Sequence, residues 1–200
     1  MMSSPQEKQG YHHGDLRRSL IDTGLLLVRE IGIDALSLRK LAERVGVSTP
    51  ALYHHFRNKQ DLLYALGEAS IQEFEAVLRP TLGDDSTLED FALAYVGFAR
   101  NNPELYELML GRTTWRGDHP APFHRAARQS VRLMGQRLLS LQQQGHLPAD
   151  VNVLRLTQVG WATLHGLCRM YNDGLAFTPE TVEEIARYAV QLIRQTLTSR

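Results

Sequence analysis

The stretch that decides the fold is GVSTPALYHHFRNKQDL, residues 46–62. Gly46 can take a left-handed backbone without β-carbon strain, so it can end one helix tightly. Ser48 or Thr49 offers a hydroxyl to cap the next helix, and Pro50 falls in its first turn, where a missing N–H costs nothing. Leu52, Tyr53 and Phe56 supply apolar positions for a helix of about two turns. Upstream, Ser37 can cap a helix carrying Leu38, Leu41, Ala42 and Val45. Ala42 is small where the two helices nearly touch, and Leu41 and Leu52 close the space between them. Two short helices joined by a tight glycine turn form the helix-turn-helix pattern, whose second helix lies in the DNA major groove.

Working outward, helical spacing recurs almost everywhere and no alternating strand pattern stands out. Leu16, Leu20, Leu27, Val28 and Ile31 mark one face of a first helix closed by Gly32. Asn58 with Asp61 caps a fourth helix, whose buried side carries Leu62, Leu63, Leu66, Phe74, Val77 and Leu78 and which ends near Pro80. Beyond it the pattern predicts helices over 91–100, 104–110, 123–144, 153–172 and 179–197. The fold class is therefore all-α, about nine helices: a three-helix DNA-binding domain over 11–60 and a larger helical domain over 61–200.

The 200 residues carry no net formal charge, which at first argues against a nucleic-acid partner. The distribution says otherwise. Residues 1–60 hold nine Lys or Arg against six Asp or Glu, and residues 61–200 hold thirteen against sixteen. His12, His13, His54 and His55 also sit in the first part, where an anionic partner would raise their charged fraction. Cys168 is the only cysteine, which excludes an internal disulfide and multi-cysteine metal motifs. No apolar run is long enough to span a membrane, and MMSSPQEKQG lacks the apolar stretch of a secretory signal, so a cytoplasmic location is expected.

Lys59 stands in the first turn of the fourth helix, where a cation opposes the helix dipole. A phosphate at that end would reconcile it with its position; a solvated lysine is the plainer alternative. Tyr53 can be half-buried packing or can place its hydroxyl on a phosphate. Such contacts position a protein on DNA without reading its sequence.

At this point SLRKLAERVGVSTPALYHHFRNKQDLL, preceded by YHHGDLRRSLIDTGLLLVREIGIDAL, resembles the DNA-binding segment of the tetracycline-repressor (TetR) family over residues 11–66. Further on, WATLHGLCRMYNDG resembles the Trp-His-Gly type of C-terminal domain through Trp161, His165 and Gly166. The resemblance implies a dimer on a palindromic operator, with a larger helical domain for dimerisation and ligand binding. It implies backbone contacts from Ser37 and Arg39, an exposed recognition face of Thr49, Pro50, Ala51, His54 and His55, and phosphate anchors at Tyr53 and Lys59. Gly24 departs from the alanine usual in the family, at up to about 1 kcal/mol of helix propensity. Thr49 and Ala51 can touch a thymine methyl and a histidine can pair with guanine or cytosine, but none makes the bidentate pairs of Arg or Asn, so groove shape is expected to share the reading.

For the larger part, a sensor needs a cavity between helices. Tyr95, Phe98, Met109, Trp115, Trp161, His165, Cys168 and Tyr171 are the candidates to line one, and each could equally be core. His165 can be a hydrogen-bonding point for a small-molecule effector or a buried histidine satisfied by a neighbouring helix. The last two helices, about 153–172 and 179–197, are expected to form a homodimer interface across a two-fold axis, because two reading heads must be held about 34–36 Å apart or somewhat more. No cofactor or metal is expected: His119, His124 and Asp118 lack metal spacing, and no phosphate loop, nucleophile elbow or HExxH occurs. The reading is a DNA-binding regulator, not an enzyme, most simply a ligand-released repressor. The alternatives are a constitutive or architectural DNA-binding dimer with no effector, and a helical enzyme in which the helix-turn-helix is incidental.

Overall fold

The fold was obtained as a computed structural model that describes residues 13–111, 114–115, 120–175 and 177–198, with side chains from Leu16 to Gln195. Among the described residues there are nine α-helices and no strand: α1 (His13–Ala35), α2 (Leu38–Val45), α3 (Thr49–Tyr53), α4 (Lys59–Leu78), α5 (Leu88–Asn101), α6 (Pro103–Leu110), α7 (Ala121–Gln143), α8 (Val153–Asn172) and α9 (Pro179–Thr198). A 3-10 turn over Arg79–Leu82 follows α4. The chain divides into two compact units between Leu62 and Leu63.

The first unit is built on α1 to α3. Leu16, Leu20, Leu27 and Val28 are buried as the helical spacing requires, together with Leu25. Ile31 is not part of that face and is 39% exposed. Gly32 adopts φ 77° and breaks the helical path, so the buried run passes to Ile33 and Leu36 beyond it. Leu41, Ala42, Leu52 and Phe56 complete the core, and the Arg17 guanidinium lies 5.5 Å from the centre of the Phe56 ring.

The second unit packs around α5. Its N-terminus is a complete capping box: the Asp90 N–H donates to Thr87 Oγ1 (3.1 Å) and the Thr87 N–H donates to Asp90 Oδ2 (2.7 Å). Phe91, Ala92, Tyr95, Val96, Phe98 and Ala99 are buried on α5, which packs on α6, α8 and α9. Phe74 of α4 meets Tyr95 and Phe98 edge-on, with ring centroids 5.0 and 5.1 Å apart. Val77, expected on the same buried side of α4, is 44% exposed. It stands about 100° around the helix from the fully buried Leu78, outside the packed stripe. Arg100 of α5 pairs with Glu183 of α9 at 2.8 Å, and the Asn172 amide of α8 donates to Ala99 O.

Candidate nucleic-acid interface and effector groove

The turn between α2 and α3 is made by backbone bonds that only a left-handed residue allows. Gly46 has φ 78°; its N–H donates to Ala42 O (3.0 Å) and Glu43 O (3.3 Å), and the Val47 N–H donates to Ala42 O (3.0 Å). This is a Schellman closure, and it satisfies the last carbonyls of α2. At the other end of α2 the Lys40 N–H donates to Ser37 Oγ (3.2 Å). Ser48, not Thr49, caps α3, accepting from the Ala51 N–H at 3.3 Å. That helix has five residues, shorter than the two turns expected, because the His55 and Phe56 N–H groups both turn onto Leu52 O (2.9 and 3.1 Å).

All nine residues nominated for DNA lie between the cap of α2 and the first residue of α4, from Ser37 to Lys59. Arg39, Pro50, Tyr53 and His54 are exposed, and Ser37, Thr49, Ala51, His55 and Lys59 are half-buried. Tyr53 is 50% exposed and does not join Leu52 and Phe56 in the core. Arg39 Nε meets Glu43 Oε1 at 2.8 Å in an exposed pair, the kind that water screens heavily. His12 lies outside the described residues, as does the side chain of His13.

Lys59 has a partner that the sequence did not suggest. Its Nζ donates to Ile33 O (3.0 Å) and Asp34 O (3.2 Å), in the turn that ends α1. Lys40 Nζ donates to Ala35 O beside them (3.0 Å). Two ammonium groups thus hold three carbonyls of the segment that follows the Gly32 break, which offsets the unfavourable place of Lys59 at the positive end of α4. An ammonium has three N–H donors, so Lys59 keeps one beyond these two bonds.

In the second unit the nominated pocket residues separate into groups. Trp115, Trp161 and His165 line a groove of about 620 Å³ with Leu110, His124, Ala127, Arg128, Val131 and Arg132. Tyr95, Phe98, Met109 and Cys168 are buried in the core, and Tyr171 is half-buried away from the groove lining. The core reaches the groove through a chain of polar contacts. Tyr95 Oη lies 3.2 Å from Tyr106 Oη, which lies 2.8 Å from His165 Nδ1. The His165 ring stacks on Trp161, centroids 5.1 Å apart and planes within 1°. Trp115 donates from Nε1 to Met109 O (2.8 Å), which fixes its ring at the groove edge.

Burial, helped by the charge of Arg169, lowers the pKa of His165, so the ring is neutral near pH 7. Burial also raises both tyrosines above their ordinary range and pushes the Cys168 thiol up to about 12. Cys168 is accordingly an inert thiol. Sequence reasoning did not single out Arg128 or Arg132 for the site. The four-residue interval of the two arginines on one helix was the available signal. An apolar void of about 50 Å³ among α5, α7, α8 and α9 is too small for an effector. A mixed-charge pocket of about 550 Å³ near Asp84, Asp85, Arg137 and Arg194 holds none of the nominated residues. Among the described residues no cluster of three or more His, Cys, Asp or Glu could hold a metal; His119 and Asp118 lie outside them. No described helix is long and apolar enough to cross a membrane.

Comparison with known proteins matches two segments of the chain. Residues 20–66 match the model of bacterial regulatory proteins of the tetR family, and residues 88–193 match the tetracyclin repressor-like C-terminal domain. The chain is 51% identical over 67 residues to the tetracycline repressor protein class A from transposon 1721 of Escherichia coli, covering 34% of this chain and 31% of that one. It thus spans about a third of the length of that curated relative. A protein with unknown function from Rhodococcus sp. RHA1 is similar over 95% of this chain and 99% of its own, at 31% identity and a TM-score of 0.79. The structure of AibR in complex with isovaleryl coenzyme A and operator DNA shares the fold at 21% identity and a TM-score of 0.60, over 88% of this chain and 96% of its own. A C-terminal domain match over more than half of the chain, joined to the matching helix-turn-helix, shows that this protein belongs to the TetR family of bacterial regulatory proteins.

Proposed function

We propose that the protein is a transcriptional repressor that binds a palindromic operator as a homodimer and is released by a small-molecule effector. The observation that carries the DNA half is the Ser37-capped α2, the Gly46 closure and a short α3 that leaves Pro50, Tyr53 and His54 exposed beside Thr49, Ala51 and His55. In this reading residues 11–60 form the DNA-binding domain and 61–200 the effector and dimer domain. Ser37, Arg39, Tyr53 and the third N–H of Lys59 take phosphates, while Thr49 to Ala51, His54 and His55 face bases. The effector half rests on the groove, whose volume falls in the range of small-molecule sites. AibR, captured with a coenzyme A ester and operator DNA, has a fold of the same kind.

Dimerisation falls to α8 and α9. Leu154, Val159 and Met170 on α8 and Tyr188 and Leu192 on α9 are 43–64% exposed, an apolar surface that a second copy would cover. The protein acts in the cytoplasm, where its operator is, and performs no catalysis in this reading. Fluorescence anisotropy with the DNA upstream of its own gene tests the proposal. Binding should depend on sequence and weaken with salt. His54→Ala and His55→Ala should alter operator preference more than the salt slope. Binding that ignores sequence, or no binding at low salt, would sink the regulator reading; binding that no compound releases would favour the constitutive alternative.

A further inference from the structure

The hydrogen atoms of the Tyr95–Tyr106–His165 chain can be placed by counting donors and acceptors. Tyr95 is 2% exposed, and among the described residues the hydroxyl partner shown for it is Tyr106. A buried O–H with no acceptor carries a large desolvation penalty, so Tyr95 donates to Tyr106. Tyr106 is fully buried and has one hydrogen of its own to give. Its remaining neighbours are His165 Nδ1 at 2.8 Å and the Cys168 thiol. An imidazole nitrogen is a strong acceptor and sulfur a weak one, so Tyr106 donates to Nδ1. A neutral imidazole that accepts at Nδ1 carries its proton on Nε2.

Trp161 covers one face of the ring and Tyr106 occupies Nδ1, which leaves Nε2–H as the polar group that His165 can offer to the groove it lines. The rest of the lining is one-sided in charge. Arg128 and Arg132 stand one helical turn apart on α7, and among the described residues no carboxylate lines the groove. Trp115 and Trp161 give it flat apolar walls, and His124 packs edge-on to Trp115 (5.5 Å, 79°).

We infer that the groove selects an aryl carboxylate, whose acid group accepts from His165 Nε2–H and pairs with Arg128 and Arg132 while its ring lies against the tryptophans. The inference rests on the effector reading of this groove and specifies its ligand. Tyr106 is a positioning residue: it touches no ligand and sets which ring nitrogen of His165 is the donor.

The chain has two tryptophans and both line the groove, so intrinsic emission reports occupancy directly. Phenylacetate and 3-phenylpropionate, titrated against their primary amides, are the probes. The acids should bind roughly 10- to 100-fold more tightly than the amides, the range expected of charge-assisted hydrogen bonds. Replacing both exposed arginines (Arg128→Ala with Arg132→Ala) should remove most of that preference by weakening the acids far more than the amides. Long-range proton–nitrogen NMR on histidine-labelled protein should show His165 protonated at Nε2, and Tyr106→Phe should move the resonance of the unprotonated Nδ1 downfield as its hydrogen bond is lost, which loss of packing alone would not do. Protonation at Nδ1, equal affinity for acid and amide, or no response to either acid at millimolar concentration would each overturn the inference. A protein that binds operator but prefers amides loses this inference alone. One that prefers acids yet binds no DNA loses the regulator reading alone.

Discussion

Lys59→Met separates two roles that the structure gives to one side chain. Methionine keeps most of the aliphatic stem and removes the ammonium that holds Ile33 O and Asp34 O at 3.0 and 3.2 Å. A hydrogen bond to a charged group contributes about 1.5–3 kcal/mol when well shielded. Here the ammonium is half-buried, water can reach the freed carbonyls, and Lys40 still holds Ala35 O. Removing a cation from the positive end of α4 also returns a few tenths of a kcal/mol. The net loss should be about 1–2 kcal/mol, a factor of roughly 5–30 in the opening equilibrium of the first unit. Native-state hydrogen exchange of the α1 and α2 amides measures it, and amides of α8 and α9 serve as the internal control. Operator titrations against salt measure the second role. If the third N–H takes a phosphate, the slope of log K against log salt should fall by about 0.9. If Lys59 only clamps α1, affinity should fall with the slope intact. Unchanged exchange on α1 would refute the clamp, whatever the DNA result.

Three further outcomes follow from the same structure. Gly46→Ala should destabilise the first unit by about 1–2 kcal/mol, because the backbone is left-handed although a β-carbon would meet nothing within 4 Å; urea denaturation reads the shift in midpoint. Gly67→Ala should cost about 1–3 kcal/mol for the opposite reason, since its β-carbon would stand 2.8 Å from the Phe123 ring and 2.9 Å from Leu108 O, and the backbone oxygen has little freedom to move; thermal melting of the second unit is the test. His165 has a lowered folded pKa, so it binds a proton less readily than in the unfolded chain. Its contribution is intact above the unfolded value of 6.5 and is lost as pH falls from there through the folded value. His165→Gln should therefore flatten the decline in stability as the pH falls below 6.5 relative to the parent, measured by denaturant midpoints.

The sequence by itself determined the helical architecture and the helix-turn-helix, because both rest on local rules. Ser37, Gly46, Pro50 and the Asn58–Asp61 cap act within three or four residues, and α8 begins and ends where its spacing indicated. Where local periodicity met a break it misplaced side chains: Ile31 beside Gly32 and Val77 at the edge of the α4 stripe are exposed, and the choice between Ser48 and Thr49 as cap stayed open. Only the tertiary structure decided what depends on chain segments far apart. Lys59 meets carbonyls 25 and 26 residues away, so its position at the start of α4, which looked like a bid for phosphate, is also an anchor for α1. Tyr106 and His165 are 59 residues apart, and their 2.8 Å bond sets the proton on a ring that the sequence could leave only as core or ligand contact. Hydrogen bonds need atoms within about 3 Å, a condition that spacing along a chain can state for neighbours on one helix and that only packing can meet between helices.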